Sequence, residues 1–230
     1  MAERNLIFNA DDFGASRGVN RGIAHAHARG VVTSTSLMVH GRAAQEAVSL
    51  AREHPNLALG LHWDLDAGGA DRVPLDDPAA VRDELEAQVE AFHRLVGRAP
   101  THLDSHHHVH RREAVATVAE EVAAPLGVPL RECGPVTYVG GFYGQWEWQV
   151  TDLQHVSPDF LVWILRNEVA EGWTEIGCHP GFVDDDFTSV YLAEREAEVR
   201  TLTDPRIRGE IAALGVRLAS YADLARGATS

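Results

Sequence analysis

The 230-residue sequence has few of the residues that cross-link a chain or anchor it in a membrane. Its two cysteines, Cys133 and Cys178, lie far apart and form no Cys-x-x-Cys pair. A disulfide framework is therefore not expected, and a reducing compartment is favoured. No apolar stretch approaches the roughly 20 residues of a membrane-spanning helix, and no signal peptide is recognisable. We expect a cytoplasmic protein with no membrane partner.

Positive charge is also scarce. The 20 Lys and Arg residues against 34 Asp and Glu residues give a formal net charge of −14. This charge repels phosphate backbones and acidic membrane surfaces, so nucleic acid is not an expected partner. The composition is otherwise that of a globular protein, and no stretch resembles a linker. The sequence therefore predicts one domain over residues 1–230.

Strand-like and helix-like segments alternate along the chain, which predicts a mainly parallel α/β sheet or barrel. The predicted strands are Asn5–Ala10, Val31–Val39, Leu57–His62, Thr101–Ser105, Val128–Arg131, Thr174–Cys178 and Val216–Ser220. The predicted helices are Arg17–Arg29, Arg42–Glu53, Pro78–Val96, Glu113–Leu126, Pro158–Ala170 and Tyr191–Thr201, with a short helix after the last strand. The segment Cys133–Gln154 is predicted to be a loop.

Histidine is abundant, and five of the 13 histidines crowd into the segment His102–His110. Imidazoles rarely cluster for packing reasons, because each has a polar nitrogen that needs a partner when it is buried. Strand alternation would place His102, Asp104 and His106 on one face. The alternative is an adventitious metal-binding surface or a tag, but a tag would lie at a terminus and this tract lies mid-chain.

Other polar residues end predicted strands. The pair Asp11-Asp12 follows the first strand, and His62 and His179 end two others. Each has an ordinary explanation when taken alone, since an Asp pair can cap a helix and a single His is commonly a surface or core residue. In (β/α) barrels, however, the carboxyl ends of the strands meet at the functional site. With His106, which closes the strand Thr101–Ser105, four strands end in Asp or His, and they therefore predict one shared site.

The third strand also suggests where a metal would fit. Its alternation places Ala58, Gly60 and His62 on one face. These small residues predict room inside the barrel for the imidazole and a metal ion.

The chemistry of such a site follows from its residue types. One carboxylate with two neutral imidazoles leaves coordination positions open, which is typical of a catalytic metal. Such a metal lowers the pKa of bound water to about 7 and polarises a carbonyl. Of two adjacent aspartates, one can bind the metal while the other accepts the proton of the attacking water. His179, which precedes the turn-forming pair Pro180-Gly181, is the candidate to protonate a departing amine.

These residues belong to segments that resemble the YdjC-like carbohydrate deacetylases, the family that includes chitooligosaccharide deacetylase. The segments run in order over nearly the full chain: Asn9–Gly14, Thr33–Ser36, Gly60–His62, Pro100–His110, Cys178–Phe182, Arg195–Pro205 and Leu218–Tyr221. The resemblance implies a TIM-like (β/α) barrel of the deacetylase type with about seven parallel strands. It also implies a metal-dependent hydrolase that removes an acetyl group from an N-acetylated sugar or oligosaccharide.

The resemblance also implies individual roles. Asp12, His62 and His106 match the ligands of one divalent metal ion, Mg²⁺ or Zn²⁺. Asp11 matches the general base and His179 the general acid. Asp104 would orient a histidine ligand. His108 and His110 match the motif with supporting or substrate-facing roles, and the contribution of His107 stays open.

Two departures from the family pattern leave the substrate open. The stretch Trp63–Asp66 leads into a short glycine-containing loop, and His40 stands where many relatives have Asn. The alternative function is a metal-dependent amidase or esterase that acts on a non-sugar acyl group. A non-enzymatic metal- or sugar-binding module is a third hypothesis, but it would not need Asp11 and His179. The aromatic loop Tyr138–Trp148 would stack on sugar rings, pack as a lid, or form a homodimer contact.

Overall fold

A parallel sheet organises the protein. The computed structural model describes residues 3–66, 72–185 and 188–227. The sheet has seven strands in the order β4-β3-β2-β1-β6-β5, with β7 paired to β1. The strands are β1 (Arg4–Phe13), β2 (Ser34–Leu37), β3 (Ala58–Trp63), β4 (Leu103–Ser105), β5 (Val136–Val139), β6 (Gly172–Cys178) and β7 (Arg217–Leu218).

Helices follow most of the strands and cover the sheet. They are α1 (Arg17–Arg29), α2 (Ala44–Glu53), α3 (Pro78–Val96), α4 (Glu113–Ala123), α5 (Pro158–Asn167), α6 (Ala193–Leu202), α7 (Pro205–Ala213) and α8 (Tyr221–Gly227). Short 3₁₀ segments lie at His106–Arg111, Ala124–Leu126 and Leu153–Val156. The predicted alternation of parallel strands and helices is thus confirmed. Among the described residues, no helix has the length and apolar character that crossing a bilayer requires.

The central strand β1 is buried along nearly its whole length. Leu6, Ile7 and Phe8 are fully buried in succession, as expected for a parallel strand that is covered on both faces. β6 pairs with β1 from Arg4 to Ala10. On the other edge, β7 pairs with the amino-terminal part of β1 and β2 with its carboxyl-terminal part. β1 therefore carries its last residues into the middle of the site.

The fifth predicted strand is wrong. Val128–Arg131 forms only an isolated bridge, between Leu130 and Leu103 of β4, and the actual β5 lies inside the segment predicted to be a loop. Pro129 has no backbone N–H to donate, and Glu132 has a left-handed backbone with φ of 61°, so a longer ladder cannot form here. The sheet is therefore a half-barrel, in which no ladder among the described residues joins β4 to β5.

Two further features differ from the sequence prediction. Helix α7 was not predicted, although Asp204 and Pro205 give a typical helix start, in which the Asp204 side chain accepts from the Arg206 N–H. The second strand is shorter than Val31–Val39. Residues 67–71, which include the glycines of the loop after β3, lie outside the described residues.

The space predicted beneath His62 is filled by another histidine. A Cβ on Gly60 would lie 2.6 Å from His102 Nδ1, so glycine is required there because of the His102 ring. That ring stacks on Tyr221 at a centroid distance of 3.9 Å. The small residues of β3 therefore accommodate a packed imidazole rather than a metal ion, which corrects the prediction.

The backbone of α1 at Gly22 lies close to the backbone of Gly181 in the loop after β6, and substitution of Gly22 tests whether the two segments pack this closely. A Cβ on Gly22 would lie 2.8 Å from the Gly181 carbonyl carbon, whereas a Cβ on Gly209 of α7 meets nothing within 4 Å. We expect Gly22→Ala to lower the free energy of unfolding by about 1–3 kcal/mol through overpacking. The matched control Gly209→Ala should raise it by about 0.5–1 kcal/mol through helix propensity. Urea denaturation measures both, and equal stability of the two variants would contradict this packing.

Candidate metal centre and catalytic site

The structure brings the predicted site residues together at one edge of the sheet. Asp11 and Asp12 lie near the carboxyl end of β1, and His62 lies near that of β3. His106 directly follows β4, and His179 directly follows β6. All five side chains thus come from the carboxyl ends of parallel strands, where (β/α) folds place their functional groups.

The three predicted metal ligands converge on one point. Asp12 Oδ1 lies 3.4 Å from His62 Nε2 and 3.2 Å from His106 Nδ1. One donor atom from each residue lies within 4.8 Å of the other two. Asp12 Oδ1 and His62 Nε2 are buried and have no hydrogen-bond partner among the described residues. Because buried polar atoms normally have partners, these donor atoms fit a divalent cation.

A bulge explains how two adjacent aspartates reach the same site. Neighbouring residues of a regular strand point to opposite faces. The register between β1 and β2 shifts between Ala10 and Phe13, and Asp12 has a left-handed backbone with φ of 68°. Such a bulge re-aims a side chain. Asp12 is then held by Arg195, whose Nη2 donates to Asp12 Oδ2 at 2.6 Å.

Asp104 fixes the orientation of His62. The buried Asp104 Oδ1 accepts from His62 Nδ1 at 2.7 Å, so His62 Nε2 is the atom that faces Asp12. Metal-binding histidines commonly have such a carboxylate partner. Burial alone would lower the pKa of His62, but the Asp104 carboxylate reverses this and raises that pKa well above its usual value. The predicted orienting role of Asp104 therefore has a direct geometric counterpart.

Asp11 is held by a fully buried arginine. Arg131 Nη1 donates to Asp11 Oδ2 at 2.8 Å, and Nη2 donates to Asp11 Oδ1 at 2.7 Å. Asn9 Nδ2 also donates to Asp11 Oδ1, at 2.8 Å. Burial opposes ionisation of Asp11, but Arg131 outweighs burial, so the pKa of Asp11 lies below its usual value. The Asp11 carboxylate is thus fixed in orientation, and its Oδ2 accepts one hydrogen bond where its Oδ1 accepts two.

His179 lies beside Asp11, near the carboxylate oxygen Oδ2. Its Nε2 is 3.9 Å from Asp11 Oδ2, and its backbone N–H donates to the buried Glu198. Burial lowers the pKa of His179 to about 4, so its ring is neutral at pH 7. Tyr143 and Tyr191 contact the ring edge-on, at centroid distances of 5.4 Å and 5.7 Å. His179 is therefore a neutral imidazole that lies beside Asp11 and packs against two tyrosine rings.

The remaining histidines of the tract have different surroundings. His110 is buried, with Nδ1 2.6 Å from the Ser105 hydroxyl and Nε2 3.2 Å from the Arg131 carbonyl. His108 lies edge-on to Tyr138. His107 contacts Asp66 through Nδ1. The tract therefore combines one candidate ligand with residues that pack or line the site. His40, outside the tract, lies 3.7 Å from Glu84 Oε1 and is 40% exposed.

The aromatic loop divides into two parts. Phe142 is fully buried, and Tyr143 stacks on Tyr191 at 4.6 Å, next to His179. Trp146 and Trp148 are exposed, and Trp146 stacks one face on His155 at 3.8 Å. Tyr143 alone of these four aromatic residues has a ring contact with a predicted catalytic residue.

Sequence reasoning missed two arginines of the site. Arg131 is the last residue of a segment predicted to be a strand, as His62 is, so the criterion that selected His62 would also have selected it. Arg195 had no comparable signal, because α6 buries Glu194, Arg195 and Glu198 together and no apolar stripe marks its inner face.

The chain matches one protein family along most of its length. The profile of the family described as YdjC-like protein matches residues 5–213. The chain is 34% identical to the chitooligosaccharide deacetylase of Serratia marcescens, over 96% of this chain and 100% of that protein.

Solved structures share the architecture. A crystal structure from Enterococcus faecalis V583, of a protein assigned to cellobiose-phosphate cleavage, has a TM-score of 0.86 and 30% identity, over 97% of this chain and 99% of that one. A family 4 carbohydrate esterase from Streptomyces lividans, solved with acetate, has a TM-score of 0.59 at 14% identity, over 94% and 92% of the two chains. The expected deacetylase-type fold is therefore confirmed.

The affinity of the centre for a divalent ion should depend on pH through His62. Because its pKa in the metal-free site lies well above the usual value, a proton competes with the ion for His62 Nε2. Affinity should therefore fall as pH decreases, and it should still be rising as pH increases through about 6.5. Titration calorimetry in two buffers of different ionisation enthalpy would detect the released proton. An affinity that stays flat from about pH 5 to 8 would rule out histidine ligation.

Proposed function

Because this chain belongs to the YdjC-like protein family, we propose that it is a metal-dependent carbohydrate deacetylase, which hydrolyses the acetamide of an N-acetylated sugar or oligosaccharide. The observation that carries the proposal is the convergence of Asp12, His62 and His106 beside the acid–base candidates Asp11 and His179. The name of the Serratia relative supplies the substrate class. The two free cysteines favour a cytoplasmic location, and we take residues 1–230 as one domain.

In this proposal Asp12, His62 and His106 hold one divalent cation. When bound, the cation supplies Lewis acidity, which polarises the acyl carbonyl and makes water a stronger nucleophile at neutral pH. Two imidazoles and one carboxylate suit Zn²⁺ better than Mg²⁺, which prefers oxygen donors. Arg195 occupies Asp12 Oδ2, so Asp12 offers its other oxygen, Oδ1, as the ligand atom.

Asp11 accepts the proton of the attacking water. Its Oδ1 already accepts from both Asn9 and Arg131, whereas its Oδ2 accepts from Arg131 alone. A carboxylate oxygen has two acceptor positions, so Oδ2 is the atom with one position left. The same oxygen faces His179. Arg131 lowers the basicity of Asp11 but fixes its direction, and orientation is a large part of general-base catalysis.

His179 delivers a proton to the departing amine nitrogen. Since its pKa is about 4, the ring is neutral before the reaction and must gain a proton during it. Asp11 Oδ2, at 3.9 Å from His179 Nε2, is the proton source. The water oxygen bonds to the acetyl carbon, the carbon–nitrogen bond breaks, and the proton passes from Asp11 through His179 to nitrogen. The products are the free amino sugar and acetic acid, which releases the remaining water proton and leaves as acetate.

Acetate release tests the reaction and the substrate together. The chelated protein, reloaded with Zn²⁺ or Mg²⁺, would be assayed on N-acetylglucosamine oligomers, on N-acetylglucosamine itself and on simple acyl amides. We expect acetate from the sugars, loss of the reaction after chelation, and recovery after reloading. Hydrolysis of the simple amides with none of the sugars would instead identify a non-sugar amidase.

The adjacent aspartates provide a matched pair of variants. Asp11→Asn removes the proton acceptor, and we expect kcat to fall about 10²–10⁴-fold while metal affinity changes only a few-fold. Asp12→Asn removes a charged ligand, and metal affinity itself should fall. Calorimetry and acetate release measure both quantities, and circular dichroism checks the fold. Full activity in Asp11→Asn would end its assignment as the base.

A further inference from the structure

A second cluster of metal-ligating side chains adjoins the candidate centre. Asp66 follows β3 by three residues, and His107 follows His106 in the 3₁₀ segment. One donor atom each from Asp66, His106 and His107 lies within 4.8 Å of the other two. The proposed function does not use Asp66 or His107, so their convergence calls for a separate explanation.

Asp66 is the anchor of this cluster. The residue is only 5% exposed, and its Oδ2 lies 2.6 Å from His107 Nδ1. Its Oδ1 is buried and has no hydrogen-bond partner among the described residues. Burying a carboxylate oxygen without a partner costs free energy. A cation bound at Asp66 would remove that cost.

The backbone turns His107 toward Asp66. His107 and His108 both have left-handed conformations, with φ of 49° and 51°, which non-glycine residues rarely adopt. As a result the rings of the successive residues His106 and His107 lie 3.9 Å apart between centroids, instead of pointing in opposite directions. The His107 side chain is 47% exposed, so an ion can reach the cluster from solvent.

We propose that Asp66, His106 and His107 form a second metal site, selective for a transition metal ion such as Zn²⁺ over Mg²⁺. Two imidazoles and one carboxylate are donors that zinc accepts and magnesium disfavours. Zinc–ligand bonds of about 2.0–2.2 Å put tetrahedral donors about 3.4 Å apart, so Asp66 and His107 need to separate by less than about 1 Å. His106 belongs to both sites, and because a neutral imidazole has only one nitrogen without a proton, it serves both ions at once as a bridging imidazolate that has released its N–H proton to solvent. The binding claim does not depend on the deacetylase activity.

A neighbouring cluster shows that proximity alone is insufficient. His108, His110 and Glu132 also converge, but both ring nitrogens of His110 have partners, the Ser105 hydroxyl and the Arg131 carbonyl. His110 therefore has no nitrogen left for an ion. The cluster around Asp66 differs because its carboxylate has an unpartnered oxygen among the described residues.

Calorimetric titration of the chelated full-length protein with Zn²⁺ alone tests the proposal. We expect two binding events in the wild type. His107→Ala and Asp66→Asn should each remove one event, Asp12→Asn should remove the other, and the double variant of Asp12 and His107 should bind none. His93→Ala, which alters an exposed histidine of α3, is the matched control and should keep both events. Mg²⁺ should show no event that depends on His107.

Two results would overturn the proposal. One is a wild type in which no zinc event is lost on His107→Ala, whether the wild type shows one event or two, and the other is a zinc event in Asp12→Asn that persists in the double variant of Asp12 and His107. Thermal unfolding checks that each variant is folded. His107 is half-exposed, so His107→Ala decides the question even if replacing the buried Asp66 destabilises the protein. Because Asp12→Asn isolates the second site, failure of this proposal is distinguishable from failure of the proposed function.

Discussion

The site depends on one buried guanidinium, that of Arg131. It contacts Asp11 from β1, Asp104 from β4 and Glu175 from β6, so it joins three strands that are not all neighbours in the sheet. Its own segment fills the gap where β4 and β5 form no ladder. Because a buried charge is costly without partners, these carboxylates and this arginine require each other. Arg131 thus links β4 to β1 and β6 through ion pairs, whereas no ladder among the described residues joins β4 to β5.

The charges of the aspartates and arginines at the candidate metal centre favour the binding of a cation. Burial alone would raise the pKa values of the three site aspartates, but Arg131 and Arg195 reverse this for Asp11 and Asp12. Burial does raise the pKa of Glu175, which also accepts a hydrogen bond from Tyr221. Two guanidinium groups therefore face three ionised carboxylates, those of Asp11, Asp12 and Asp104. The third carboxylate charge raises the pKa of His62 well above its usual value, chiefly through Asp104, and a cation bound at Asp12 Oδ1 would displace that proton.

The sequence predicted the elements that have strong local signals. Parallel strands, their order along the chain and the polar residues at their ends follow from alternation and from abrupt changes in residue type. The sequence could not reveal features that arise from tertiary contacts. The bulge at Asp12, the left-handed histidines and the charged inner face of α6 have no local pattern, because contacts between distant segments impose them. The strand prediction for Val128–Arg131 failed for a local reason. Pro129 has no backbone N–H to donate to a ladder, although the apolar residues around it are typical of a strand.

The pairing of β7 with β1 bears on how the protein is made. Asn5 pairs with Arg217, and Tyr221, four residues later, stacks on His102 and donates to Glu175. The residues beneath the candidate metal centre thus come from segments separated by more than 200 residues in sequence. During synthesis on the ribosome, β1 is made long before β7. The edge of β1 that pairs with β7, at Asn5 and Leu6, therefore stays unpaired until Arg217 and Leu218 have been synthesised. Contacts so distant in sequence slow folding and prolong the exposure of such edges to aggregation.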